Sequence, residues 1–255
     1  QNYEIILVNN NSKESTTLSF FKKFLKESTS SRIHKLLNFN EVFNYSKINN
    51  FAIRHAQGSV ILLLNNDIEF LDKGWDIELI NHALREDIGF VGAKLIYPDH
   101  TIQHAGILLG GDKVAYHPYR KVPEKKLINH KQVQLAQEFS AVTGACMAIT
   151  KEKWELLKGM DEHKLKICFN DVDICLRAKS FGLRNIYLPY IRAIHHESKS
   201  RGRPTGKQYK QIIKEQKILR KRWLEIIKND PYTVRYNHLS LNNLKNNKIH
   251  IKNHY

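Results

Sequence analysis

Four short polar clusters in this 255-residue chain carry the residue types that ligand binding and catalysis require. They are Asn9-Asn10, Asn65-Asn66-Asp67, Asn170-Asp171-Val172-Asp173 and His195-His196. Three of them lie at the ends of apolar, strand-like runs, and the acidic cluster at 170–173 begins a helix-like segment. Because ligands in open α/β sheets bind beyond the carboxyl ends of the strands, we expect one ligand-binding edge here.

Asp67 and a histidine at another strand end suit a divalent cation. A carboxylate and an imidazole can hold such an ion and leave coordination positions open for phosphate oxygens. In the alternative interpretation, Asp67 is a turn residue whose carboxylate caps nearby backbone N–H groups. Successive side chains of a strand point to opposite faces, so we expect only one of His195 and His196 to be a ligand.

Asp171 and Asp173 have two interpretations that the sequence leaves open. Acids in the first turn of a helix stabilise it by roughly 0.3–1 kcal/mol without any catalytic role. Alternatively, a carboxylate at a helix start that faces the same crevice can take a proton from an acceptor hydroxyl, as a general base does.

The apolar pattern around these clusters predicts an α/β sheet flanked by helices. The predicted strands are residues 3–8, 32–39, 59–64, 89–97, 141–149, 184–188 and 193–196, and the predicted helices are residues 15–26, 44–56, 75–85, 151–158, 170–181 and 206–228. Strands alternating with helices are typical of an open α/β fold. The continuous apolar run at 59–64 indicates a strand buried on both faces, as in parallel sheets.

The positive charge is concentrated at the C-terminus. Lys and Arg number 41 against 25 Asp and Glu, and residues 199–255 hold a net charge of +12 out of the total of +16. Such a segment favours contact with a membrane surface, a nucleic acid or a phosphorylated substrate, although a solvated helix face would look the same. The rest of the chain has no known nucleic-acid motif, so we expect no nucleic acid partner.

Cysteine usage and hydropathy indicate the compartment. The three cysteines lack CxxC spacing, which favours neither a disulfide framework nor a zinc ribbon and suits a reducing cytoplasm. No apolar run approaches the roughly 18 residues that cross a bilayer. We therefore expect a cytoplasmic protein, soluble or peripheral at the inner face of the membrane.

Four segments together carry a family resemblance: residues 43–70, 142–162, 169–182 and 194–202. They closely resemble the family 2 glycosyltransferases with a GT-A fold, in particular bacterial members that build surface polysaccharides. The resemblance implies a mixed, mostly parallel α/β sheet flanked by helices over residues 1–203. A basic amphipathic helix and tail would follow over residues 204–255.

The resemblance also implies roles for the polar clusters. Asn65-Asn66-Asp67 occupies the place of the family's DxD-type motif, which binds the nucleotide and the metal, with Asp67 as metal ligand and Asn in place of the first acid. His195 is implied to complete the metal shell. Asp171 corresponds to the catalytic base of the inverting mechanism.

Two further positions follow from the same resemblance. Asn9 stands where the family has an acid that contacts the nucleotide base. Asn50 matches an asparagine of the helix beside the donor site, although a helix-surface amide is a competing interpretation.

The function implied is that of a metal-dependent, inverting hexosyl- or deoxyhexosyltransferase. It would use Mn²⁺ or Mg²⁺ and a nucleotide-diphosphate sugar, with a glycan or lipid-linked acceptor, in lipopolysaccharide, capsule or cell-wall synthesis. The basic C-terminal helix would meet an anionic membrane surface. The family's first strand, base-contacting loop and helix have no counterpart before Tyr3, and the alternative hypothesis is therefore a truncated, non-catalytic module that binds nucleotide sugars or glycans.

Overall fold

The structure, a computed structural model, describes residues 2–128, 130–196 and 205–233. The strands are β1 (Tyr3–Asn9), β2 (Arg32–Asn38), β3 (Val60–Leu64), β4 (Ile68–Phe70), β5 (Ile88–Ile96), β6 (Ile102–His104), β7 (Leu108–Gly110), β8 (Val114–Tyr116), β9 (Gln137–Phe139), β10 (Cys146–Thr150) and β11 (Arg184–His195). The α-helices are α1 (Ser15–Lys26), α2 (Tyr45–Arg54), α3 (Trp75–Ala83), α4 (Lys131–Gln134), α5 (Lys151–Leu156), α6 (Asn170–Ser180), α7 (Gly206–Arg222) and α8 (Leu224–Lys228).

A seven-stranded mixed sheet forms the centre of the fold. Its strand order is β3-β10-β5-β11-β4, with β6 paired to β5 and β9 paired to β11. β10 runs antiparallel to both β3 and β5, whereas β11 runs parallel to β5. Strands β3, β5 and β11 therefore share one direction, and their carboxyl ends lie at one edge. The predicted mixed α/β sheet flanked by helices is confirmed; its parallel pairing is that of β11 with β5, whereas β3, β4, β6, β9 and β10 pair antiparallel with their neighbours.

Helices cover both faces of this sheet, which explains its apolar strands. All nine residues of β5 are buried. Phe90 packs in a cluster with Ile53 of α2 and Ile174 of α6, whereas Val91 packs in a second cluster with Leu79 of α3. Neighbouring residues of a strand face opposite sides, so an apolar strand needs a helical layer on each side.

Strands β1 and β2 form a separate parallel pair, with Tyr3 opposite Arg32 and Asn9 opposite Asn38. Glu4 connects this pair to the segment before β3, because its Oε1 accepts hydrogen bonds from the backbone N–H groups of Gln57 (2.5 Å) and Gly58 (2.8 Å). Partial burial raises the pKa of Glu4, but its bonds to Lys35 and to these N–H groups outweigh that effect and hold the pKa below its ordinary value.

The predicted helix at 206–228 is wrong in one respect, since it breaks at Trp223 into α7 and α8. Trp223 has φ −120° and ψ 27°, which are not helical angles. Its indole Nε1 donates to Oδ1 of Asp173 at 2.9 Å, and Asp173 is fully buried. A buried carboxylate requires such donors, so this tertiary bond prevails over the local helical pattern.

Two predicted strands also differ from the structure. The strand expected at 141–149 begins at Cys146 instead, because a turn closed by the Cys146 N–H to the Thr143 carbonyl (3.3 Å) occupies the preceding residues. The strands expected at 184–188 and 193–196 are one strand, β11, with a register shift against β5 between Leu188 and Arg192.

Helix α7 packs on the body of the fold. Leu219 is fully buried in the central core, and the buried Glu215 carboxylate accepts hydrogen bonds from the backbone N–H groups of residues 166–168. The predicted boundary at 203/204 and the predicted tail beyond residue 233 lie outside the described residues. Over the part of the chain that is described, no helix combines the length and apolar character needed to cross a bilayer.

Candidate active site

The ends of β3 and β11 bring Asn65, Asp67 and His195 together. His195 Nε2 lies 3.0 Å from Oδ1 of Asp67 and 3.3 Å from Nδ2 of Asn65. The pairing of β4 with β11 produces this approach, because it sets Ile68, the residue after Asp67, opposite His195. The two strand ends that the sequence singled out therefore form one site.

The tautomer of His195 is fixed by Gln103. The side-chain oxygen Oε1 of Gln103 accepts a hydrogen bond from Nδ1 of His195 at 2.7 Å. In the neutral ring, Nε2 then carries a lone pair, which faces the Asp67 carboxylate. An imidazole lone pair and a carboxylate oxygen at this distance can both bind one metal ion.

The residues present therefore fit a divalent cation. Carboxylate oxygen and imidazole nitrogen are ligands that Mn²⁺ accepts, and Mg²⁺ is commonly held by one or two carboxylates together with substrate phosphates. Within the described ranges, no group of three or more His, Cys, Asp or Glu side chains is arranged to hold a metal. A cation at Asp67 and His195 would keep positions open for substrate oxygens and water.

The second histidine has a different partner. His196 Nε2 lies 3.2 Å from Oε2 of Glu69, and both side chains are exposed. His195, by contrast, is 6% exposed. The strand's alternation thus separates the two histidines, and it is His195 that faces Asp67.

Asp171 lies at the start of α6 and is held by backbone donors. Its Oδ2 accepts the N–H of Gly144 at 3.0 Å, and its Oδ1 accepts the N–H of Val172 at 2.8 Å. Burial raises the pKa of Asp171, and these N–H bonds oppose the rise without cancelling it. Each carboxylate oxygen keeps a lone pair, so the group can still accept a proton from a substrate.

The turn at Thr143, Gly144 and Ala145 links the two halves of the site. Its Gly144 N–H binds Asp171, and its Ala145 carbonyl accepts the backbone N–H of Asn65 at 2.9 Å. The hydroxyl of Tyr45 donates to the Gly144 carbonyl at 2.7 Å and holds the turn from the other side. Asp171 and the strand end that carries Asn65 are thereby held by one segment of backbone.

The family model for glycosyl transferase family 2 matches residues 1–155, more than half of the chain. The chain belongs to glycosyl transferase family 2. This membership confirms the resemblance that the sequence segments indicated.

Two curated proteins are similar to most of this chain. The chain is 36% identical over 223 residues to the uncharacterized protein y4gI of Sinorhizobium fredii, and 37% identical over 200 residues to the O-antigen biosynthesis protein RfbC of Myxococcus xanthus. These matches cover 87% and 78% of this chain but 24% and 15% of the relatives. The chain therefore spans at most a quarter of the length of either relative.

Two solved structures establish the fold of the chain. GalNAc-T7, crystallised with UDP, GalNAc and Mn²⁺, matches with a TM-score of 0.61 and 16% identity, over 79% of this chain and 39% of that one. The mannosyltransferase PcManGT from Pyrobaculum calidifontis, in complex with GDP-Man and Mn²⁺, matches with a TM-score of 0.54 and 15% identity, over 78% and 49%. The shared architecture is the GT-A fold, as expected from the sequence.

Two further predicted site residues, Asn9 and Asn66, stand at the ends of β1 and β3. Asn9 ends β1, where its Oδ1 accepts the N–H of Ser12 at 2.8 Å and its Nδ2 donates to Asn38 Oδ1 at 3.1 Å. Asn66 is exposed in the turn between β3 and β4. Both positions are at strand ends, and their predicted donor contacts stay predictions.

Asn50 makes a structural contact. Its side-chain amide exchanges two hydrogen bonds of 2.9 Å with the backbone N–H and carbonyl of Met160, and it also donates to Glu162 Oε2 at 3.2 Å. The amide thus anchors the loop between α5 and α6. It is not part of the group around Asp67 and His195, so its predicted place at the donor remains untested.

Three residues of the site were not named individually from the sequence: Tyr45, Gln103 and Thr143. Gln103 lies on the three-residue strand β6, which is too short to show a strand period. Thr143 lies in a turn, whereas the apolar pattern predicted a strand at this position. Gly144 was the sequence signal for a turn at this place. A Cβ built at Gly144 would lie 3.2 Å from the Tyr45 hydroxyl, so the close contact favours a glycine.

Proposed function

We propose that this domain is a metal-dependent, inverting glycosyltransferase that moves a hexosyl or deoxyhexosyl group from a nucleotide-diphosphate sugar to a glycan or lipid-linked acceptor. The observation that carries the proposal is the arrangement of Asp67 and His195 on one side of the turn at 143–145, with Asp171 bound to the same turn. The name of RfbC supports a role in bacterial surface polysaccharide synthesis. The nucleotides and Mn²⁺ in the two matched structures support the donor class and the ion.

Asp67 and His195 would hold Mn²⁺ or Mg²⁺. A cation there neutralises the charge that develops on the diphosphate as the bond to the sugar breaks. Asn65 lies next to His195, with its amide Nδ2 3.3 Å from Nε2, and Asn66 follows it at the edge of the site. Asn9 and Asn50 would contribute to the nucleotide-binding side, as the family resemblance implies.

Asp171 would act as the general base. The acceptor oxygen forms a bond to the anomeric carbon while the bond from that carbon to the diphosphate oxygen breaks, and the hydroxyl proton passes to the Asp171 carboxylate. Attack opposite the leaving group inverts the configuration at that carbon. The Gly144 and Val172 N–H groups keep the carboxylate in place as it gains the proton.

The basic helix α7 would place the domain at an anionic phospholipid surface on the inner face of the cytoplasmic membrane, where lipid-linked acceptors would be found. Five exposed lysines of α7 are spaced by three and four residues, which puts them on one helical face: Lys207, Lys210, Lys214, Lys217 and Lys221. We call this set the lysine stripe. Each lysine near an anionic membrane is worth roughly 1 kcal/mol of attraction.

Calorimetric titration of UDP, GDP and dTDP, with and without Mn²⁺, tests the donor site without knowledge of the acceptor. Binding of one nucleotide that depends on Mn²⁺ is the expected result, and it would identify the donor class. If none of the three nucleotides bound in the presence of Mn²⁺, the alternative of a non-catalytic glycan-binding module would be favoured instead.

A further inference from the structure

A small polar cavity opens beside His195. It has a volume of about 120 Å³ and is lined by Gln103, His104, His117, Arg120, Thr143 and His195. We call it the histidine cavity. Because His195 and Thr143 also belong to the site described above, a group in this cavity would lie next to the reaction centre.

His104 provides an unused hydrogen-bonding atom in this cavity. The residue is 1% exposed, and its Nδ1 lies 3.0 Å from Nδ1 of His117. One of these two nitrogens must donate and the other accept. The remaining ring nitrogen of His104, Nε2, is buried and has no hydrogen-bond partner among the described residues. A buried polar atom without a partner is costly, so a ligand group that satisfies it gains affinity.

The charge of the lining indicates the kind of ligand. Burial lowers the pKa of His104 well below its ordinary value, and burial together with the Arg120 charge lowers the pKa of His117 to about 4. Both rings are therefore neutral near pH 7. A neutral imidazole has one donor and one acceptor, which matches a hydroxyl group that also does both.

The cavity offers few positively charged groups to an anion. The cationic group of the lining is Arg120, an exposed residue whose Nε donates to the Tyr97 hydroxyl at 2.8 Å. The other lining side chains are the two neutral imidazoles, an amide, a hydroxyl and the His195 ring. Neutral hydroxyl groups fit this set better than a phosphate or a carboxylate does.

The size of the cavity limits how much of a ligand enters it. Pockets for whole small molecules are roughly 300–1,000 Å³, whereas this one is about 120 Å³. The cavity therefore takes the hydroxyl groups along one edge of a sugar ring, while the rest of the substrate lies in the open site.

We propose that the histidine cavity is a sugar-hydroxyl subsite, in which His104 and His117 hydrogen-bond hydroxyl groups of a sugar held next to Asp67 and Asp171. The proposal rests on the proposed glycosyltransferase function and adds the residues that recognise the sugar. The hydroxyl groups belong either to the donor sugar or to the acceptor sugar, and the test separates these two sources.

The test compares three variants of the full chain with the wild type. His117→Phe removes both ring nitrogens at a partly exposed position, and His117→Gln keeps a donor and an acceptor. His163→Gln, at an exposed position outside the cavity lining, is the matched control. Calorimetry measures binding of UDP-glucose, UDP-GlcNAc, GDP-mannose and dTDP-rhamnose against their parent nucleotides. Saturation-transfer NMR measures contact with the methyl glycosides of the same sugars.

If the donor sugar occupies the cavity, His117→Phe weakens a nucleotide sugar at least tenfold while binding of the parent nucleotide is unchanged, and His117→Gln retains most of the affinity. If the acceptor occupies it, the methyl-glycoside signals fall in His117→Phe while nucleotide-sugar affinity is unchanged. Wild-type binding in His117→Phe for every sugar, or no sugar contact in the wild type, overturns the proposal.

Failure of the proposed function would look different. No nucleotide would then bind with Mn²⁺, yet the methyl-glycoside arm would still decide whether the cavity takes sugar hydroxyls. His104→Gln provides a second test of whether the cavity binds sugar hydroxyls. It is expected to lower the same sugar signals as His117→Phe does. A folded His104→Gln protein with wild-type signals would contradict the assignment of His104.

Discussion

His195 Nε2 lies 3.0 Å from Asp67 Oδ1, and this contact joins the carboxyl end of β11 to the loop after β3. Both side chains come from strand ends of one sheet edge, so the protein scaffold fixes their distance. Gln103 holds the orientation of the His195 ring by accepting a hydrogen bond from Nδ1 on the side away from Asp67. The cation proposed for this site would therefore meet two ligands that the protein already holds in place.

Asp67→Asn is expected to abolish nucleotide binding that depends on Mn²⁺, because it removes the carboxylate that faces His195. Calorimetric titration with and without Mn²⁺ measures the effect. The control is Glu69→Gln, which neutralises the neighbouring carboxylate that pairs with His196 and should leave binding within about twofold. Equal losses in both variants would contradict the assignment of the cation to Asp67 and His195.

Asp171→Asn is expected to lower kcat by about 10²–10⁴-fold, the usual contribution of a general base, with little change in KM for the donor. Asn keeps the size of the side chain and can still accept one backbone N–H. Steady-state kinetics with the donor identified by titration give the measurement. Asp76→Asn, the same change in the first turn of α3, is the matched control. Turnover within a few-fold of the wild type would show that Asp171 is not the base.

The pH profile provides an independent test of Asp171. Burial raises the pKa of this carboxyl above its ordinary value of 3.8, so the group loses its charge at a higher pH than an exposed aspartate does. A base works only when ionised, and kcat/KM should therefore fall as pH falls through that raised pKa. The residual activity of Asp171→Asn should lack this acidic limb. An acidic limb at or below the ordinary value in the wild type would contradict the base assignment.

Asp173 differs from Asp171 although both stand in the first turn of α6. Its fully buried carboxylate accepts from Arg177 Nε at 3.0 Å, from Arg222 at 2.7 Å and from the Trp223 indole. Asp173→Ala should destabilise the fold by about 3–5 kcal/mol, because it removes the buried carboxylate that two partly buried guanidinium groups and the Trp223 indole share, even though Arg222 keeps its ion pair with Asp161. Urea unfolding measures this value. Glu27→Ala removes an exposed ion-pair partner and is the control, with little change expected. Equal free energies of unfolding for Asp173→Ala and the wild type would show that Asp173 has no structural role.

The sequence was sufficient to predict those helices that have a regular apolar spacing and those site residues that stand at strand ends. Helix α1 was predicted at residues 15–26 and has those bounds, since its apolar spacing is regular. Strand alternation predicted that only one of His195 and His196 is a ligand, and the structure places His195 beside Asp67 and His196 beside Glu69. Gln103 and Thr143 could not be found that way, because short strands and turns take their place from tertiary contacts rather than from local pattern. The break at Trp223 has the same origin, in a bond to the distant Asp173.

The lysine stripe is expected to bind anionic membranes. Lys210→Gln, Lys214→Gln and Lys217→Gln together remove three of its five charges, which at roughly 1 kcal/mol each corresponds to about a hundredfold weaker partitioning. Sedimentation with phosphatidylglycerol–phosphatidylcholine vesicles measures the partitioning, and pure phosphatidylcholine vesicles give the baseline.

A matched triple variant on α1, Lys22→Gln, Lys23→Gln and Lys26→Gln, changes the net charge equally at exposed positions on another helix. If position matters, the α1 variant binds vesicles nearly as the wild type does and only the α7 variant loses binding. If both variants lost binding equally, net charge rather than the stripe would explain the attraction. Added salt should weaken wild-type binding, because surface charges are screened beyond about 8 Å at physiological ionic strength. Binding that neither salt nor the α7 substitutions reduce would contradict an electrostatic contact through this helix.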